Sequence, residues 1–121
     1  MPEQVVIELP LPPEPLYLNG RIKNRYGLSR LIADARATAA LIAKQVRPRE
    51  LFKSATIDAV FWMPRRRDDD NLKAWCKQYQ DGMQGIVYGN DSNVVITSAT
   101  QVTGKAAGGQ RKLVLTVTRV E

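Results

Sequence analysis

Proline placement constrains this chain more than any other feature. All seven prolines fall at or before Pro64, and each one beyond Pro2 bounds a candidate element. Val5-Val6-Ile7-Glu8-Leu9 reads as a strand closed by Pro10, Pro12, Pro13 and Pro15, because proline lacks the backbone donor that sheet and helix interiors need. Asn19-Gly20 and Tyr26-Gly27 mark turns in a basic loop holding Arg21, Lys23 and Arg25. From Ser29, a favoured N-cap, Ile32, Ala35, Ala39, Ile42 and Val46 recur at helical spacing until Pro48 stops the segment. Ala55 to Met63 alternates, with Ile57, Ala59, Phe61 and Met63 on one side and Thr56, Asp58, Val60 and Trp62 on the other. That is a strand, and Pro64 ends it.

Beyond Pro64 the pattern changes period. Leu72, Trp75, Cys76, Tyr79 and Met83 follow helical spacing, with Gly82 and Gly85 fraying the end. Val94 to Val102 and Lys112 to Val120 are β-rich and are expected to pair as an antiparallel hairpin, across a glycine-rich loop expected to be mobile. The order β-α-β-α-β-β predicts a single α+β domain with one mixed sheet and two helices.

Composition narrows the chemistry. The chain has 121 residues, 18 Lys plus Arg against 12 Asp plus Glu, and a net charge of +6, which favours an anionic partner such as nucleic acid. It has no histidine, which removes Ser-His-Asp and Cys-His catalysis and nearly all zinc enzymes. The only cysteine, Cys76, fits a reducing cytoplasm, and no apolar run reaches the ~20 residues of a membrane span. Carboxylate, lysine, tyrosine, serine and an oxygen-bound metal remain as the working palette.

Against that background one cluster stands out: Arg65-Arg66-Arg67 followed by Asp68-Asp69-Asp70. In an extended segment Asp68 and Asp70 point to one side and Asp69 to the other. Two such carboxylates can hold a hard cation, and Asp91, in a turn before the next strand, is the best third ligand. The plainer meaning is a charge run that caps a helix. On a helical count Asp70 shares a face with Lys73 and Lys77, although Lys77 is also spaced to pair with Asp81. Trp75 lies on the apolar stripe and reads as core, as does Cys76, whereas Trp62 is out of phase with the buried side of its strand.

The segment Arg66-Arg67-Asp68-Asp69-Asp70-Asn71-Leu72, then Lys77, Asp81-Gly82-Met83 and Gly85-Ile86-Val87-Tyr88-Gly89-Asn90-Asp91-Ser92 resembles the RusA-type Holliday junction resolvases of bacteria and their phages. Leu9-Pro10-Leu11-Pro12-Pro13 resembles that family's opening strand. The resemblance implies a magnesium-dependent endonuclease, with manganese as a substitute, that acts as a homodimer on branched DNA in recombination and repair. It implies metal ligation by Asp68, Asp70 and Asp91, and an essential lysine at Lys77 with Lys73 the competitor. Arg65, Arg66, Arg67, Arg21, Lys23 and Arg25 would grip the DNA backbone. The turn departs from the frequent Asp-Asp-Ser by carrying Asn90. The rival expectation is a non-catalytic basic nucleic-acid-binding phage protein, which would bind DNA without cutting it.

Overall fold

The computed structural model describes residues 2–13, 16 and 25–120. Arg21 and Lys23, and the side chains of Arg25, Tyr26 and Asp70, lie outside the described residues. Among the described residues four strands form one mixed sheet: β1 (Gln4–Leu9), β2 (Ala55–Met63), β3 (Val94–Thr103) and β4 (Lys112–Arg119). Helix α1 spans Arg25–Val46, and the segment after β2 forms two short helices, α2 (Leu72–Trp75) and α3 (Lys77–Met83). No helix among the described residues is long and apolar enough to cross a membrane.

The spatial order is β1-β4-β2-β3, so the expected β3–β4 hairpin does not form. Instead β4 inserts antiparallel between β1 and β2, while β3 lies parallel to β2 at the edge. The reason lies in burial. Leu113, Leu115 and Val117 of β4 are all fully buried, which suits a central strand, whereas β3 buries only Val94 and carries Thr, Ser and Gln. A parallel β2–β3 pair needs a long crossover, and the α2–α3 segment supplies it. The loop after β3 also differs from expectation. It folds into a 3₁₀ turn at Gly104–Ala107, with Ala107 buried and the Gly104 N–H donating to the Pro64 carbonyl.

Helices α1, α2 and α3 cover the sheet face that carries Ile57, Ala59, Phe61 and Met63, which are buried with Ile7, Leu9, Leu113 and Leu115. Burying each large apolar side chain contributes roughly 1.5–3 kcal/mol. The opposite face presents Val6 and Val95, 55% and 60% exposed, beside half-buried Val60, Trp62 and Val114.

Helix α1 already includes Arg25, so Ser29 lies inside it and Tyr26-Gly27 is helix rather than turn. One glycine costs a helix only about 1 kcal/mol, less than a docked helical face returns. The buried stripe is Ala35, Ala39 and Ala43, with Val46 left exposed. Those small side chains let α3 approach closely. A Cβ on Gly82 would sit 2.4 Å from the Arg36 carbonyl oxygen, so Gly82 is a packing residue, not a frayed end.

Candidate metal and nucleic-acid site

The aspartate run sits just past β2, where Pro64 has stopped the strand. Asp68 is extended and exposed, but Asp69–Asn71 already turn as a 3₁₀ helix. The strand-like alternation expected for Asp68 to Asp70 therefore does not apply. The helix-forming stretch that starts at Leu72 reaches back to Asp69 and replaces the pleat. Asp68 stands at the N-cap position without a side-chain cap hydrogen bond, so the capping role is not what fixes it.

Gln101, on β3, holds this turn. Its Oε1 accepts from the Arg67 N–H at 2.8 Å, and its Nε2 donates to the Arg67 carbonyl at 2.7 Å and to Asp69 Oδ1 at 2.7 Å. Arg66 adds an ion pair to Asp69 at 3.0 Å. Asp69 is thus engaged in structure. The Arg67 guanidinium lies 5.0 Å from the centre of the Trp75 ring, which stacks on Phe61 at 5.4 Å. Arg65, Arg66, Arg67 and Arg111 together line a cleft beside the turn.

Asp91 and Lys77 belong to a second group. Asp91 opens a 3₁₀ turn (Asp91–Asn93) in which Asn90 Oδ1 accepts from the Ser92 N–H at 3.0 Å, so Asn90 shapes the loop. The Asp91 N–H donates to Gln84 Oε1 at 3.3 Å. Asp91 lines a hollow with Arg36, Lys77, Asp81 and Gln84. There Asp81 takes Arg36 at 3.2 Å and Lys77 at 3.5 Å, so the local i,i+4 pair is formed. Lys73 is exposed on α2.

Register separates the two groups. Parallel pairing sets Ala55 against Val94 and Phe61 against Gln101, which puts Asp91 at one end of β3 and the Gln101-held turn near the other. At ~3.3 Å per residue, Val94 and Gln101 are roughly 20 Å apart. Among the described residues, no three acidic side chains gather into one cation-holding group. Each end carries carboxylate oxygens, the donor type that hard cations take.

Sequence reasoning missed Gln101, Arg111, Arg36 and Gln84. Gln101 and Arg111 act across the fold, and nothing local marks them. Three groups near the site have raised pKa values, each through burial first: the Cys76 thiol and the Tyr79 phenol are both pushed up to about 12, and Tyr88 is raised further, with Asp91 and Asp81 adding to it. The two tyrosine hydroxyls are structural donors, Tyr79 to the Pro10 carbonyl at 2.9 Å and Tyr88 to the Gln80 carbonyl. The chain matches no protein-family model and no curated protein.

Proposed function

We propose that this chain is a magnesium-dependent endodeoxyribonuclease of the RusA type, resolving four-way DNA junctions by paired nicks. One observation carries the reading: a carboxylate-bearing turn, clamped to β3 by Gln101, stands at the rim of a four-arginine cleft. Oxygen donors for a hard cation thereby lie beside guanidinium groups that match phosphate.

Asp68, Asp70 and Asp91 would hold the ion, which when bound polarises the phosphate and makes an attacking water available at neutral pH. Arg65 and Arg67 orient the strand, and Lys77 balances charge on the phosphate oxygens during attack. Because Asp91 lies at the far end of β3 from Asp68, the reading includes a two-fold homodimer. A two-fold axis perpendicular to the strands reverses their direction and sets the Asp91 end of one copy against the Asp68 end of the other. Each composite site then faces one of two opposed strands of a symmetric junction.

The test is a synthetic four-way junction incubated with purified protein, with and without magnesium. Paired nicks that require magnesium, and that vanish in Asp70→Asn while junction binding persists, are expected. Binding without cleavage under all conditions would leave the chain as a nucleic-acid-binding protein only.

A further inference from the structure

The cleft beside the aspartate turn is built more specifically than backbone attraction requires. Its basic side is Arg65, Arg66, Arg67 and Arg111, and its apolar side is Leu11, Met63 and Pro64, around a volume of about 450 Å³. Pro10, Leu11 and Pro12 continue the wall into an adjoining hollow shared with Arg67, Trp75 and Arg111. Two buried aromatic residues hold that proline strap in place: Trp75 Nε1 donates to the Pro13 carbonyl at 3.0 Å, and the Tyr79 hydroxyl donates to Pro10. These two bonds fix one wall of the cavity.

Part of the charge in the cleft is left over for a ligand. Among the described residues Arg65 and Arg111 have no ion-pair partner, while Arg66 is paired to Asp69. Arg111 arrives from the loop before β4, far along the chain from Arg65 and Arg66. Guanidinium groups from two separate segments thus converge on one space. A DNA duplex meets a protein across a broad surface, whereas a cleft in the roughly 300–1,000 Å³ range of small-ligand pockets takes a single unit. Its two kinds of wall match the two parts of a nucleotide. Phosphate pairs with arginine, and an unstacked base packs on apolar side chains or guanidinium planes.

We propose that this cleft holds one unpaired nucleotide of a DNA strand, with its phosphate on Arg65, Arg66 and Arg111 and its base against Leu11 and Pro64. The inference rests on the reading of the chain as a DNA enzyme and adds a strand-capture site to it. A nucleotide splayed out at a branch point is the natural occupant, and its capture draws the neighbouring phosphodiester toward the aspartate turn.

The experiment uses the full chain in EDTA, so that no cutting occurs, and follows fluorescence anisotropy of a labelled 12-residue oligothymidine and of a 12-base-pair duplex across a salt series. Arg111→Gln and Arg65→Gln are each expected to weaken oligothymidine binding about tenfold, as removal of one charge-assisted hydrogen bond predicts. The slope of log K against log salt should fall by about 0.7 for each phosphate no longer neutralised. Arg111→Lys should keep most of that slope. Arg47→Gln removes the same charge from a separate hollow lined by Arg47, Arg49 and Leu51 and should shift both probes slightly and equally. Arg111→Gln behaving like Arg47→Gln, or weakening duplex and single strand alike, overturns the cleft assignment. Junction cleavage with magnesium is scored in parallel on the wild type. Cleavage by the wild type with no Arg111 effect overturns the cleft alone; an Arg111 effect in a protein that never cleaves overturns the nuclease reading alone.

Discussion

Gln101 joins β3 to the aspartate turn through three hydrogen bonds, and a residue with that role should act on catalysis without touching substrate. Gln101→Ala removes bonds worth roughly 0.5–1.5 kcal/mol each. It should lower the denaturation midpoint and slow junction cleavage while DNA affinity in EDTA stays within about twofold, since no arginine is removed. Lysines 77 and 73 differ in a comparable way. Both side chains are exposed, but Lys77 lines the hollow that holds Asp91, whereas Lys73 stands one turn earlier outside it. Lys77→Ala is therefore expected to cut the cleavage rate by about a hundredfold and Lys73→Ala by less, measured with binding affinity alongside. If Lys73→Ala is the more damaging, the essential lysine counts forward from the aspartates instead. Cys76 gives a pH dependence whose sign is fixed. Burial lifts its thiol from the usual 9.0 to about 12, so below pH 9 both folded and unfolded chains keep the proton. Above pH 9 only the unfolded chain loses it, and stability falls as pH rises. Between pH 9 and 10 Cys76 should account for about 1 kcal/mol of the loss seen by denaturant titration, so Cys76→Ala should lose about 1 kcal/mol less than the wild type and keep only the smaller loss from the buried tyrosines.

Elements were legible where burial follows a simple period. Ile57, Ala59, Phe61 and Met63 are buried as the alternation of β2 predicts, and Leu72, Trp75, Cys76, Tyr79 and Met83 are buried as helical spacing predicts, even though an i→i+3 bond from Cys76 to Lys73 splits the helix in two. The mixed α+β architecture followed from those periods. Pairing did not. Whether β4 lies beside β3 or between β1 and β2 depends on contacts more than a hundred positions apart, such as Gln4 with Thr118, which no local pattern encodes. The separation of Asp91 from Asp68 was hidden for the same reason, because it follows from the parallel β2–β3 register rather than from residue type. Gly82 shows how a local signal misleads. Read as a helix breaker, it is where α3 meets the backbone of α1. Replacing glycine by alanine inside an exposed helix gains about 1 kcal/mol in propensity. Here the added Cβ would lie 2.4 Å from the Arg36 carbonyl oxygen, and overpacking against backbone costs about 1–3 kcal/mol. Gly82→Ala should therefore lower the thermal midpoint, and it should also reduce cleavage, because Arg36 helps line the Asp91 hollow. An unchanged or raised midpoint would show that α1 and α3 do not approach so closely.

At the scale of the whole molecule, a small basic domain carries Asp68 and Asp91 at opposite ends of a parallel strand pair, and its open sheet face leaves Val6 and Val95 more than half exposed. Under the proposed homodimer these features belong together. The open face, on which Val6 and Val95 stand among polar residues such as Asp58 and Thr116, would contribute to the contact between copies, and strand reversal across the two-fold would bring the Asp68 end of one copy to the Asp91 end of the other. Subunit mixing separates this arrangement from one in which each chain completes its own site. Asp70→Asn and Asp91→Asn proteins should each be inactive alone on a magnesium-loaded four-way junction. If sites are composite, a heterodimer of the two has one site that lacks both carboxylates and one that keeps all three. The mixture should then regain nicking of a single strand, at up to about half the wild-type nick count for the heterodimer fraction. If instead each chain supplies Asp68, Asp70 and Asp91 to the same ion, every site in the mixture lacks one ligand and no activity returns. Native mass spectrometry of the mixture fixes the heterodimer fraction, so a silent mixture that contains heterodimers overturns the composite site. Mixing wild type with Asp70→Asn provides the reference, since both arrangements then leave one intact site per heterodimer and produce single nicks in place of resolved junctions.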